Sequence, residues 1–145
     1  MRNIAFVFFM AAVTCVFLGM VWGIQMSISH DHSLASAHAH LNLVGWATLA
    51  LFGIYYRLTP MASNSMLARA HAAIAILGVV VMVPGIAVVI QGGTPAIAAA
   101  GSLLTITSMG IFLVTVIRHG FGARALDATE WFYRAGPNDL GPAQP

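Results

Sequence analysis

Hydrophobic and polar positions do not alternate along this chain; they segregate into blocks. Apolar residues fill 4–28, 41–58, 67–90 and 96–117, separated by the polar stretches 29–37, "TPMASNSM" and "QGGTP". A helix needs about 20 predominantly apolar residues to cross a bilayer. Inside a bilayer the backbone must satisfy its own hydrogen bonds, which makes each block a helix. The pattern predicts an all-α, integral membrane four-helix bundle with spans near 4–28, 39–58, 67–90 and 96–117. These form one transmembrane domain over residues 1–118, followed by a short tail, 119–145. Short connections favour antiparallel neighbours, hence up-down-up-down order. Pro60 and "GGTP" mark chain breaks, and Pro84 before Gly85 predicts a kink in the third span.

Composition agrees. Hydrophobic residues make up 59% and charged ones 7%, against about 25% charged in soluble domains. The first block opens like a signal peptide, but a signal core is about 7–15 apolar residues. This run continues to residue 28, so an uncleaved first span is expected. Cys15 within it reads as a small buried apolar residue. The six basic residues are all arginine: Arg2, Arg57, Arg69, Arg118, Arg124 and Arg134. Four spans put all six on one side, which the positive-inside rule makes cytoplasmic, with both termini. The loop after the first span then faces the periplasm of a bacterial inner membrane. Tyr55 and Tyr56, beside Arg57, sit where an interfacial aromatic belt is expected. In the tail, Trp131, Phe132 and Tyr133 suit either an interfacial helix or a partly ordered end. No basic patch is interleaved with aromatics, so nucleic acid is not expected as a partner.

Four of the six histidines, His30, His32, His38 and His40, fall within eleven positions. His38 and His40, two residues apart, point about 200° apart on a helix at nearly one height. They cannot chelate one metal together, but they can serve two sites on opposite faces. A neutral imidazole just inside a membrane is a good axial ligand for haem iron; capping or an interfacial position is the plainer alternative. His30, Asp31 and His32 form a candidate secondary set for a divalent metal ion, equally able to bind water or a haem propionate. His71, near the start of the third span, lies roughly 20 Å in helical rise from His40. It is expected to be structural or secondary, hydrogen-bonded to a neighbouring helix, and His119 interfacial.

The segment "SHDHSLASAHAHLNLVGWATLALFGIYYRLTP" resembles the tenth transmembrane helix of heme-copper oxidase subunit I and the stretch leading into it. That family, which includes nitric oxide reductases, carries a His-Asp pair, six residues, then His-x-His; His30-Asp31 and His38-Ala39-His40 keep this spacing. "LARAHAAIAILGVVVMVPG" is similar to the family's eleventh helix, "SLLTITSMGIFLVTVI" to its twelfth and the first span to its ninth. The resemblance implies that His38 and His40 are haem ligands, one for a high-spin and one for a low-spin haem. It implies that His30 and Asp31 lie near a metal site at the haem propionates, and that His71 is no haem ligand. Counterparts of the opposing low-spin ligand, the copper-binding histidines and the paired propionate-binding arginines are missing. Asp31 is the one acid outside the tail, so proton-pumping oxygen reduction by this chain alone is not expected.

The expected function is therefore a small b-type haem protein for electron transfer or diatomic gas binding, oxidoreductase-like if an enzyme. The expected cofactor is haem b, with a further divalent metal ion as an addition. Expected partners are membrane lipid, a respiratory-chain redox protein and further copies of the chain, a trimer before a dimer. The alternatives are a non-haem metal-binding or assembly protein and an accessory subunit of a respiratory complex.

Overall fold

The computed structural model describes residues 3–122, and the tail expectation lies outside them. Four helices are long and apolar enough to cross a membrane: Ile4–Ser29, Ala35–Leu58, Met66–Ile90 and Ala96–His119, here the first to fourth spans. Among the described residues there is no strand. Local chemistry sets the boundaries. The Asn3 side chain accepts from the Ala5 N–H at 3.0 Å, and Ser65 Oγ from the Ala68 N–H at 3.1 Å. Each satisfies a backbone donor that the first turn of a helix leaves unpaired. The first span stops at His30, which adopts a left-handed conformation with φ 56°, and the fourth stops at Gly120 with φ 69°.

One boundary differs from the sequence expectation. The second span begins at Ala35, so His38 and His40 are already helical and the preceding loop shrinks. A helix needs only backbone partners, and the three alanines of "ASAHAH" are strong helix formers ahead of the apolar block. The third span continues as helix through Pro84. Within the second span, residues Leu41–Thr48 form a π-helix between α-helical ends.

Small residues let the helices approach, as membrane packing requires. The first and second spans meet antiparallel, with Gly19 against Asn42, Gly45 against Cys15, and Gly53 against Ala5 and Phe9. The third and fourth do the same, with Gly78 against Thr105, Gly85 against Ala98 and Gly101 against Met82. Burial on the fourth span is confined to Gly101, Ser108 and Thr115, seven residues apart, a single line facing the third span. The rest of its surface carries exposed apolar side chains such as Leu103, Ile106 and Ile117. Large apolar groups outward and small ones inward are what a lipid environment permits, since lipid tails are as apolar as leucine.

The end of the molecule carrying Arg57 and Arg69 is closed by an aromatic cluster. Phe8 stacks on Tyr56 with centroids 5.6 Å apart, and Phe52 contacts Phe112 of the fourth span at 4.5 Å. Tyr55 donates its hydroxyl proton to the Gly120 carbonyl at 2.8 Å, and the Gly122 N–H donates to Thr59 Oγ1 at 3.1 Å. The expected aromatic belt is thus not found at Tyr55 and Tyr56, which are 3% and 1% exposed. Their hydroxyls find partners inside the protein, so they have no need of the headgroup region.

Candidate functional site

The two histidines of His38-Ala39-His40 lie in different surroundings. His40 is partly exposed, and its Nδ1 stands 2.8 Å from the Ser36 carbonyl, one turn earlier. A carbonyl only accepts, so Nδ1 carries the proton. In the neutral ring Nε2 is then an unprotonated lone pair, and among the described residues it has no partner. A backbone carbonyl holding Nδ1–H is the arrangement that fixes the tautomer of a metal-ligating histidine.

His38 turns instead toward the first span. Its ring lies edge-on to Trp22 with centroids 6.0 Å apart, and its Cε1 is 3.4 Å from where a Cβ on Gly23 would stand. The Asn42 amide donates to the His38 carbonyl at 2.9 Å and also reaches His38 Nε2 at 3.3 Å. An amide NH2 donates, so in a neutral His38 the proton sits on Nδ1. That nitrogen is buried without a hydrogen-bond partner. A buried orphan of this kind costs about 1–3 kcal/mol.

His30, Asp31 and His32 are all exposed in the short turn. Asp31 Oδ1 accepts from the Ser33 N–H at 2.9 Å, an Asx turn, and this bond holds the carboxyl below its usual range. No three metal-ligating side chains converge among the described residues. His119 is half-buried and donates Nδ1–H to the Thr115 carbonyl at 3.1 Å.

Comparison with family models, curated proteins and solved structures returned no match.

His71 lies at the opposite end, fully buried and ringed by Phe8, Phe52, Phe112 and Tyr56. Its Nδ1 meets the Tyr56 hydroxyl at 2.9 Å, and its Nε2 has no hydrogen-bond partner. The contact ties the second span to the third, a bond to a neighbouring helix as the sequence suggested. Sequence reasoning missed the residues that orient the histidines: Ser36, Trp22, Asn42 and Tyr56. The spacing of four from Ser36 to His40 and from His38 to Asn42 was the available signal, since residues four apart share a helix face. Tyr56→Phe should destabilise the protein by about 1–3 kcal/mol by leaving both ring nitrogens of His71 unpaired. Thermal unfolding in mild detergent reads this; an unshifted melting temperature would show that the pair contributes nothing.

Proposed function

We propose that this protein is an integral membrane b-type haem protein in which His40 is the primary axial ligand through Nε2. One observation carries the reading: Nδ1–H is committed to the Ser36 carbonyl, leaving Nε2 free at the partly exposed start of the second span. The likeness of His30-Asp31 and His38-Ala39-His40 to the heme-copper oxidase helix supports the same assignment. Haem bound here would supply a one-electron redox centre, or a site for a diatomic gas if one axial position stays open. The chain's own part is to fix the ring's tautomer and, through Asn42, to restrain the second histidine.

Both termini and the arginines are assigned to the cytoplasmic side of a bacterial inner membrane, and the histidines to the outer side, on the arginine distribution. The working unit is a homo-oligomer, with a trimer ahead of a dimer. His38 faces the first span of its own chain, so one subunit does not present both rings to one haem. A cyclic assembly lets the His40 face of one copy meet a different face of the next, whereas a twofold dimer pairs like with like. The uncovered face of the fourth span is available surface for such contacts.

Reduced-minus-oxidised spectra of protein purified after expression with ample haem test the proposal, together with native mass spectrometry counting haem per chain. A b-type signal with about one haem per chain in an oligomer is expected. No haem signal sinks the cofactor assignment, and a monomer retaining bis-histidine haem sinks the assembly.

A further inference from the structure

We infer that the groove between the first and second spans at the arginine end is a binding site for an anionic phospholipid. The groove encloses about 420 Å³, within the range of small-molecule sites. Its walls are Phe6 and Phe9 of the first span and Gly53, Ile54 and Leu58 of the second, with Asn3 and Arg57 as its polar members. From residue 3 to residue 9 it runs about 9 Å along the helix axis. That length lies within the roughly 15 Å hydrocarbon depth of one leaflet, so the walls suit the upper part of an acyl chain.

The polar members decide which lipid. Arg57 is exposed and has no hydrogen-bond or ion-pair partner among the described residues. The one acid among them, Asp31, lies at the other end of the molecule. Asn3 spends its side-chain oxygen on the Ala5 N–H, so its NH2 remains as a second donor beside the guanidinium. A guanidinium presents a fixed fork of donors suited to phosphate oxygens. Long basic side chains at span ends keep their stems along apolar surface and their heads in the polar layer. An apolar trough ending in two donor groups, one of them positively charged, therefore matches a phosphodiester carrying net negative charge. A zwitterionic headgroup would set its own cation beside Arg57. Gly53 makes the groove possible, because a Cβ there would lie 3.1 Å from the Ala5 carbonyl oxygen and push the two helices apart. This site is independent of the haem and lies at the opposite end of the second span from His40.

The test is native mass spectrometry of the full chain released from nanodiscs of phosphatidylglycerol and phosphatidylcholine in equal amounts. Retention of about one phosphatidylglycerol per chain, at least tenfold over phosphatidylcholine, is expected. Arg57→Gln should lower that preference about tenfold, and Arg57→Lys should keep most of it. Ile54→Trp, which fills the trough from an exposed position, should remove retention of both lipids without altering charge. Equal retention of the two lipids, or wild-type retention in both Arg57→Gln and Ile54→Trp, overturns the site. Displacement of the lipid by millimolar inorganic phosphate also overturns it, because the trough would then add nothing to recognition.

Discussion

A His40→Ala variant is expected to purify with at least tenfold less haem than the parent chain. The reason is that the variant removes the imidazole at the start of the second span whose Nδ1–H is held by the Ser36 carbonyl, leaving Nε2 without a partner among the described residues. Its helical neighbours do not substitute for it: Asn42 Nδ2 is a donor and His38 Nε2 is already engaged by it. His38→Ala should behave differently, leaving most of the haem bound, because its ring faces the first span and its Nε2 is engaged by Asn42. His71→Ala is the control. It removes a fully buried ring from the Phe8, Phe52 and Phe112 cluster and should cost about 3 kcal/mol of stability, with no change in the spectrum of the protein that still folds. Haem content and spectrum both unchanged in His40→Ala would refute the ligand assignment.

Gly101→Leu is expected to abolish recovery of folded protein, and Gly101→Ala to destabilise it by about 3 kcal/mol. A Cβ on Gly101 would overlap the backbone N and Cα of Met82 on the third span. Overpacking against a flexible side chain can be relieved by a rotamer change, whereas backbone atoms move only with their helix. Burial on the fourth span is confined to the line of Gly101, Ser108 and Thr115, so displacing one point loosens that seam. Gly110→Ala on the same helix makes the comparison, since nothing lies within 4 Å of a Cβ there. Relief of glycine's conformational entropy should stabilise that variant by about 0.5–1 kcal/mol. Melting temperatures in detergent that fall equally for Gly101→Ala and Gly110→Ala would dispose of the seam argument.

Four spans were legible in the sequence because length and hydropathy alone decide whether a helix can cross a bilayer. Which face of each helix turns inward was not legible. In a membrane protein the outward face is as apolar as the inward one, so Leu103 and Ile106 carry no mark that distinguishes them from core residues. Tyr55 and Tyr56 show the consequence: position near a span end suggested the interface, while their hydroxyl partners, Gly120 O and His71 Nδ1, come from elements far along the chain. At the histidines the reverse holds. The contrast between His38 and His40 follows from helix geometry and was foreseeable as two different environments. That Asn42 restrains one and Ser36 fixes the other depends on rotamers no spacing rule specifies.

The π-helical stretch from Leu41 to Thr48 separates His40 from Phe52, Tyr55 and Tyr56. Each i→i+5 turn holds more chain than an α-turn, so the stretch acts as a stored insertion. Loss of one residue there can be absorbed by rewinding toward α-geometry, which rotates the half of the span below it relative to the half above. Across descendants of this sequence, length changes in the second span would be tolerated first at 41–48. Such a change would re-aim the aromatic end while leaving the histidine end in register, so the two halves can drift in evolution as separate modules of one helix.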